Sequence, residues 1–499
     1  MLRRQPQDDY QPVTRSGSSS ETSDGARPLI DVRAAKPENR FADGPRRLAQ
    51  PTPAAQSVAQ TSQPNYRSAT LLKHGHAFSY AALFLFTLIL YARPAEFYPS
   101  ALTASIALVI ALAAVGFFIP TQLSLEGTLT ARPREVNLVL LFCLTGLLSV
   151  PFAINRAEAW VEFSGTFIRC IVIFVLIVNV VRTEARLKGL IFLAMAAGIW
   201  LSIEAINDYR LGLLTVEGYR AAGRGTGIFG NTNDMALHLV TILPISVALM
   251  LGAKGAIRKL LYGACAAVMI AAIVLSYSRG AFLGLVVVFI FLTLKLGGRH
   301  RFEILLAVLG MALVVLMAPS GYGGRLLSIF DPSLDVAGSA DARRGELFRS
   351  IYVALRHPLL GIGMGNYQNE MSYTGHVTHN AYTQVAAEMG MAALFCYVMF
   401  IITPLRKLAQ IARETFATRH NSQYYYLTVG LQASLLGYMV SSFFLSVAYH
   451  WYVYYLVGFA VCMRRLYESE TGKVVVPVTR KERKQADASF KTETEPLVT

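Results

Sequence analysis

Apolar runs recur along the chain from Ala77 to Met463, with short polar segments between them. Each run is about 15 to 22 residues long, and an α-helix of about 20 apolar residues crosses the hydrocarbon core of a bilayer. The pattern predicts an all-α, polytopic membrane protein with about twelve transmembrane helices. The predicted spans are residues 77–92, 101–119, 136–153, 160–181, 187–206, 235–252, 260–277, 280–296, 303–318, 382–402, 427–445 and 449–463.

The composition agrees with this class of protein. Of the 499 residues, 54% are hydrophobic and 15% are charged, whereas soluble domains carry roughly 25% charged residues. The five cysteines all lie inside apolar runs and lack a Cys-x-x-Cys spacing. We therefore expect them to pack in the core rather than to form disulfides or bind zinc. Neither a metal site nor a cofactor is expected.

The distribution of positive charge predicts the topology. The formal net charge is +15, and all eleven lysines fall on one side of the predicted spans. Because Lys and Arg concentrate in cytoplasmic loops, we expect both termini to lie in the cytoplasm. No basic segment is interleaved with aromatic residues as in RNA-binding modules, so nucleic acid is not an expected partner.

The chain divides into a membrane domain and two tails. Residues 1–72 are rich in Ser, Pro, Gln, Asp and Arg, a composition that predicts a disordered cytoplasmic tail. The membrane domain covers residues 73–463, and a second cytoplasmic tail covers residues 464–499. Two outer segments of the membrane domain, 207–234 and 319–381, are too long for simple connections, and we expect them to be functional.

The second long segment contains a predicted amphipathic helix, Asp341–Arg356. Polar clusters rich in Gly, Arg, Asn and His occupy the predicted outer face at residues 220–234, 278–281, 343–367 and 376–390. On this face the positive charge comes from arginine, whose planar guanidinium matches the oxygens of a phosphate group.

Each cluster alone has an ordinary explanation. Arg279 is explained as an interfacial anchor, and a loop histidine such as His376 as a structural residue. The glycine runs have no βαβ context, which disfavours a nucleotide-binding loop. Together, however, arginines beside the pair His379–Asn380 predict a site for a phosphate-containing substrate at the membrane surface.

Four motifs in this order resemble those of the O-antigen ligase superfamily. That superfamily includes O-antigen ligases, related polysaccharide polymerases and some protein O-glycosyltransferases, and the resemblance covers roughly residues 136–463. It implies a GT-C-type membrane fold with a long periplasmic loop containing short helices. It also implies a metal-independent, inverting glycosyltransferase of the bacterial inner membrane. The motifs are FGNTND at 229–234, SRGA at 278–281, RHPLLGIGMGNY at 356–367 and HNAYTQVAAEMG at 379–390.

The resemblance also implies the substrates. The donor is a glycan on undecaprenyl pyrophosphate, and the acceptor hydroxyl belongs to lipid A–core, another glycan or another molecule at the periplasmic face. We favour ligase-like transfer, with polysaccharide polymerisation as the main alternative and protein glycosylation as a further one. A small-anion transporter is a more distant alternative, because transporters commonly show internal repeats and a site at the bilayer midplane.

Three residues are expected to be catalytic. The resemblance matches His379 and Arg279 to the superfamily's loop histidine and outer-turn arginine, and Arg224 is preferred to Arg220 because of its glycine neighbours. A neutral imidazole, whose ordinary pKa is near 6.5, can accept the proton of a sugar hydroxyl. Arg279 and Arg224 would neutralise the departing pyrophosphate.

Further residues are expected to bind substrate. The superfamily has an Arg-x-x-Leu-aromatic pattern, and Arg344 matches its spacing better than Arg343 does. Asn380 or Tyr382 would orient the imidazole or a sugar, and Arg169, in mid-span, either lines a donor cavity or pairs with an acid on another helix. Glu388 is either a helix-start charge or an acceptor contact. The predicted binding residues are Arg220, Arg344, Asn233, Asn380, Tyr382 and Arg169.

Overall fold

The computed structural model describes residues 75–214, 219–222, 228–296, 302, 323, 339–373, 375–419, 424–472 and 475. Within these ranges the secondary structure is helical and contains no strand, which confirms the all-α prediction. The predicted tail at 1–72, the predicted span at 303–318, Arg224 and residues 476–499 lie outside the described ranges.

The helices of the described chain are numbered here in chain order. The first seven are α1 (Ala77–Ala92), α2 (Pro94–Phe97), α3 (Ala101–Glu126), α4 (Arg134–Ser149), α5 (Arg156–Glu162), α6 (Ile168–Val180) and α7 (Glu184–Arg210). A π-helical turn, Phe163–Phe167, joins α5 to α6. The other helices are α8 (Thr232–Gly252), α9 (Ala256–Leu275), α10 (Arg279–Leu296), α11 (Ser339–Arg356), α12 (Ala381–Met389), α13 (Met391–Glu414), α14 (Tyr424–Ser441) and α15 (Trp451–Thr471).

Ten segments of the described chain are long and apolar enough to cross a membrane, which confirms a polytopic membrane protein. Two of the segments combine a pair of helices, α1 and α2 in one and α5 and α6 in the other. The remaining eight are α3, α4, α7, α8, α9, α10, α13 and α14. Helix α15 coincides with the twelfth predicted span but continues to Thr471. Its last turns carry four charged residues between Arg464 and Glu470, so it is less apolar than the ten.

The predicted span at 382–402 consists of two helices rather than one. Helix α12 ends at Met389, α13 begins at Met391, and Gly390 between them has a φ of 86°. A Cβ atom at Gly390 would lie 2.3 Å from the carbonyl oxygen of Leu359, so only glycine fits this close approach. The continuous apolar pattern does not reveal this break, and the membrane-crossing segment is Met391–Glu414.

Helices α8 and α14 are the most buried of the ten segments. Small residues let them approach closely, as expected for helices packed in a membrane protein. A Cβ atom at Gly430 would lie 2.6 Å from Cβ of Ala248, and one at Gly437 would lie 3.0 Å from Val240. Helix α15 completes this centre, since every residue from Trp451 to Arg464 is buried.

The two ends of the bundle carry different polar groups. At one end, the buried Glu135 forms ion pairs with Lys407 at 3.1 Å and with Arg464 at 3.2 Å, and thereby joins α4, α13 and α15. At the opposite end lie the connections α4–α5, α7–α8, α9–α10 and α14–α15 together with the segment between α11 and α13. The predicted outer clusters therefore gather at one end of the bundle.

Candidate functional site

Two cavities at this end of the bundle meet at His379. The arginine cavity has a volume of about 220 Å³ and is lined by Arg279, Leu283, Arg343, Arg344, Leu347, Thr378, His379, Asn380, Phe443 and Phe444. The acidic cavity has a volume of about 480 Å³, and its polar lining includes Glu158, Glu162, Asn231, Asn233, Asp234, Gln384, Glu388, Tyr449 and His450. Thr378 and His379 line both cavities.

His379 is held in an unusual backbone conformation. Its φ of 50° lies in the left-handed region, which costs a residue other than glycine about 1–3 kcal/mol and occurs often at functional sites. Its two neighbours are anchored. The Thr378 hydroxyl donates to the carbonyl oxygen of Asn380 at 3.0 Å and lies 2.8 Å from Oγ of Ser446. The side chain of Asn380 caps α12, so the imidazole is presented from a fixed turn.

The surroundings of His379 keep its imidazole neutral. Burial, followed by the positive charges of Arg343 and His376, lowers the pKa of His379 to about 4, and Glu346 opposes this shift. The ring is therefore unprotonated near pH 7 and can accept a proton. Glu346 is itself buried and fixes the loop, because it accepts hydrogen bonds from the hydroxyls of Tyr367 at 2.7 Å and Ser372 at 2.8 Å.

The arginine cavity brings together α10, α11 and two turns that are distant in the chain. Arg279 opens α10, and the residue two places before it, Tyr277, has a φ of 52°. Arg343 and Arg344 come from α11, which confirms a helix over the predicted segment. Because both of these arginines line the cavity, the lining does not choose between them. A cavity with three guanidinium groups suits the oxygens of a phosphate or pyrophosphate.

Asn380 adds a hydrogen-bond donor to the arginine cavity. Its Oδ1 accepts hydrogen bonds from the backbone N–H groups of Tyr382 at 2.9 Å and Thr383 at 3.0 Å, which is the geometry of a helix N-cap. The side chain is only 1% exposed, and its Nδ2 has no hydrogen-bond partner among the described residues. A buried donor of this kind normally finds a partner, which makes Asn380 a candidate contact for a molecule bound in the arginine cavity.

The acidic cavity has a different chemistry. Glu388 of α12 is 4% exposed, and its Oε2 accepts a hydrogen bond from the Tyr449 hydroxyl at 2.8 Å. Burial raises the pKa of Glu388 to about 7. The other carboxylates come from α5 (Glu158 and Glu162) and from the first turn of α8 (Asp234). Amides and hydroxyls complete a wall suited to hydrogen bonding with sugar hydroxyls.

The glycine run at 361–365 fixes the position of α12 against the α4–α5 connection. Gly361 has a φ of 68°, and a Cβ atom there would lie 2.2 Å from the carbonyl carbon of Glu388. Gly363 has a φ of 98°, and a Cβ atom there would lie 2.2 Å from Cβ of Ala153. The run therefore acts in backbone packing, and its N–H groups donate to carbonyls of α12, including Gly363 to Glu388 at 3.0 Å.

Arg220 and Asn233 form one unit. Arg220 is 3% exposed and lines neither cavity; its Nε donates to the carbonyl oxygen of Ser276 at 2.9 Å, and its Nη2 donates to Oδ1 of Asn233 at 2.8 Å. Asn233 lines the acidic cavity. The structure thus places Arg220 behind Asn233 rather than at the cavity surface.

Two other predicted residues lie away from both cavities. The Tyr382 hydroxyl donates to the carbonyl oxygen of Met439 at 2.9 Å, and its ring packs against Tyr397. Arg169 lines a separate, largely apolar cavity of about 490 Å³ together with residues of α1 and α3. Neither residue is among those that line the two cavities at His379.

Sequence reasoning did not identify most of the carboxylates of the acidic cavity. Neither Glu162 nor Glu158, one turn before it, is among the residues predicted to bind substrate. Their spacing at the outer start of an apolar span was the available signal. Asp234 belongs to the FGNTND motif, yet only Asn233 of that motif was expected to bind substrate.

The fold and the two cavities define a polytopic, all-α membrane protein with a polar site at one end of its helices. Residues 264–398 match the family model described as O-antigen ligase, and this match confirms the resemblance to the O-antigen ligase superfamily. The matched segment contains the cavity-lining residues Arg279, Arg343, Arg344, His379 and Glu388. No curated protein matches the chain.

The family match supports a function of the O-antigen ligase and polymerase kind, whose members are glycosyltransferase-like enzymes. Association with the membrane and with a lipid-linked glycan agrees with this family.

Proposed function

We propose that this protein transfers a glycan from undecaprenyl pyrophosphate to an acceptor hydroxyl at the periplasmic face of the bacterial inner membrane, as O-antigen ligases do. One observation carries the proposal: His379 lies on the wall between a cavity lined by arginines and a cavity lined by carboxylates and amides. The first suits the pyrophosphate of the donor, and the second suits an acceptor sugar. A proton acceptor between the two is what the transfer requires.

The proposed reaction is a single displacement. The acceptor oxygen forms a bond to the anomeric carbon of the donor sugar while the bond from that carbon to the pyrophosphate oxygen breaks, so the configuration is inverted. The electron pair of the broken bond leaves with the pyrophosphate, and the hydroxyl proton passes to the neutral imidazole of His379. Arg279, Arg344 and the Nδ2 of Asn380 stabilise the charge on the departing oxygen. Arg224 stays a prediction for the same role.

The proposal includes an orientation in the membrane. Both termini lie in the cytoplasm and the two cavities face the periplasm, since lysines concentrate at the opposite side of the bundle. Single-cysteine variants in a background without the five native cysteines test this orientation. A membrane-impermeant maleimide should label Tyr373→Cys, next to the cavities, from the periplasm of intact spheroplasts. Lys254→Cys, between α8 and α9, should be labelled only after lysis, and the reverse pattern would reject the orientation.

The transfer itself is tested with purified protein in nanodiscs. We expect the protein to consume an undecaprenyl-pyrophosphate-linked oligosaccharide when lipid A–core is supplied, and to yield one transfer per acceptor. A ladder of products made from the lipid-linked donor alone would instead identify a polymerase. His379→Ala should lose transfer at least a hundredfold while it still binds the donor. The matched control is His357→Ala, because His357 is exposed and lines neither cavity.

The transporter alternative makes a separate prediction. A transferase moves no ion across the bilayer, so proteoliposomes should show no uptake of bicarbonate or phosphate above empty vesicles. Uptake that depends on the protein, with no glycan transfer in the nanodisc assay, would reject the proposed function.

A further inference from the structure

The acidic cavity is lined by four carboxyl groups from three separate helices: Glu158 and Glu162 of α5, Asp234 of α8 and Glu388 of α12. None of the described residues that line it is Lys or Arg. The arginine cavity has the opposite character, with three guanidinium groups and no carboxylate among its described lining residues. Tertiary packing therefore places the carboxyl groups in one of the two cavities that His379 lines and the guanidinium groups in the other.

One of these carboxylates carries an unsatisfied hydrogen-bond acceptor. Asp234 is only 8% exposed, and its Oδ1 has no hydrogen-bond partner among the described residues. It lies in the first turn of α8, one residue after Asn233, whose own side chain is held by Arg220. Buried carboxylate oxygens are rarely left unpaired in folded proteins. Asp234 also lines the cavity, so a molecule bound there is the candidate partner for this carboxylate.

The chemistry of the cavity restricts that molecule. A ligand with a carboxylate or phosphate would lie among four carboxyl groups, with no Lys or Arg among the described residues that line the cavity, and like charges repel one another in a partly buried site. A sugar that carries only hydroxyl groups meets no such repulsion. It offers several O–H donors to the carboxylates and accepts hydrogen bonds from groups such as the Gln384 amide.

We propose that the acidic cavity binds the terminal sugar of the acceptor, that it selects a sugar without a negative charge, and that Asp234 accepts a hydrogen bond from one of its hydroxyls. The identity of the occupant as the acceptor rests on the proposed function. The hydroxyl that reacts would point towards His379, which lines the same cavity. Acidic residues thus keep anions out of the acceptor subsite and leave the donor pyrophosphate to the arginines.

The selectivity is tested with matched pairs of octyl glycosides that differ only at C6: glucoside and glucuronide, galactoside and galacturonide, mannoside and mannuronide. Binding to the wild-type protein in nanodiscs is measured without donor, and transfer is then measured with the lipid-linked oligosaccharide. We expect at least one neutral glycoside to bind, and each bound neutral member to bind at least tenfold more tightly than its uronide. Equal binding within the pairs, preference for uronides, or binding of no member would overturn the inference.

Variants test the role of Asp234. Asp234→Asn keeps the size of the side chain, and we expect it to raise KM for the neutral acceptor about tenfold while KM for the lipid-linked donor stays within twofold. Glu162→Gln removes one charge from the wall and should narrow the preference for the neutral member of each pair. The matched control is Glu370→Gln, because Glu370 is exposed and lines neither cavity. An effect of Asp234→Asn on the donor alone would also overturn the inference.

Different results would reject the transfer reaction and the subsite for an uncharged sugar. If the neutral glycosides bind selectively but no donor is consumed with any acceptor, the proposed transfer fails and the subsite for an uncharged sugar stands. If transfer occurs without discrimination between the paired glycosides, the transferase stands and the subsite assignment fails.

Discussion

The Nη2 atom of Arg220 lies 2.8 Å from Oδ1 of Asn233, and Nε of the same arginine lies 2.9 Å from the carbonyl oxygen of Ser276. A buried guanidinium thus links the end of α9 to the start of α8, immediately behind the wall of the acidic cavity. Arg220, which was predicted to bind substrate, contacts the cavity residue Asn233 and is not itself among the described lining residues of either cavity.

Arg220→Lys tests this positioning role. Lysine keeps the positive charge but cannot donate to both partners in the geometry of the guanidinium. We expect kcat/KM for the acceptor to fall about tenfold, which corresponds to roughly 1.4 kcal/mol, and KM for the donor to stay nearly constant. The measurement is steady-state transfer in nanodiscs with each substrate varied in turn.

Arg210→Lys is the control for this variant, because Arg210 ends α7 and is exposed. A larger effect of Arg220→Lys on the donor KM than on the acceptor KM would show that Arg220 binds the pyrophosphate of the donor.

Arg279→Lys tests bidentate recognition in the arginine cavity. A lysine retains the charge but presents a point charge instead of a planar fork, and it stabilises the leaving pyrophosphate less well. We expect kcat to fall about 100-fold, at the lower end of the effect of losing one preorganised donor to a developing anion, because the charge is kept. Arg156→Lys is the matched control, since Arg156 also opens a helix but lines neither cavity. Near-normal turnover of Arg279→Lys would contradict the bidentate contact.

Gly361→Ala tests the packing of the glycine run on α12. Alanine would adopt a φ of 68° and place its Cβ atom 2.2 Å from the carbonyl carbon of Glu388. Gly375 has a similar φ of 71°, but a Cβ atom there would meet nothing within 4 Å. Gly375→Ala therefore carries the conformational cost alone, about 1–2 kcal/mol, and Gly361→Ala carries the same cost plus the displacement of α12.

Thermal unfolding of both variants in detergent separates the two contributions. We expect the Tm of Gly361→Ala to fall clearly below that of Gly375→Ala, with a parallel loss of transfer. Equal Tm values would mean that the loop relaxes without moving Glu388.

The pH dependence of transfer tests the state of His379. Because the pKa of His379 is lowered to about 4 by burial and by nearby positive charge, the imidazole is the neutral proton acceptor down to about that pH. We expect kcat/KM to show no His379-dependent acid limb near pH 6.5, the ordinary value for histidine. A protonation near pH 6.5 in the profile that disappears in a His379→Gln variant would contradict this expectation.

The same shift affects stability with a definite sign. Between pH 4 and pH 6.5 the unfolded chain binds a proton at His379 and the folded chain does not, so this residue favours unfolding as the pH falls through that window. The Tm of the wild-type protein should therefore decrease more steeply below pH 6.5 than the Tm of His379→Gln.

Properties that depend on residues close together in the chain were determined by the sequence. Apolar run lengths predicted the crossing helices, the pattern at Asp341–Arg356 predicted α11, and the order of four motifs indicated the O-antigen ligase superfamily. Residue types alone also indicated that arginines and one histidine would form the site. The helix predictions need only local periodicity, because helix length and amphipathicity are local properties, whereas the superfamily rests on the resemblance of the motifs.

Only the tertiary structure decided which of these side chains share a cavity. Glu158 and Glu388 are 230 positions apart in the chain, and tertiary packing brings them to one cavity. Arg220 was expected at the substrate and is instead bonded to Ser276 and Asn233, and the break at Gly390 depends on a contact with Leu359. Such contacts arise from the packing of helix ends, and no local pattern along the chain encodes them.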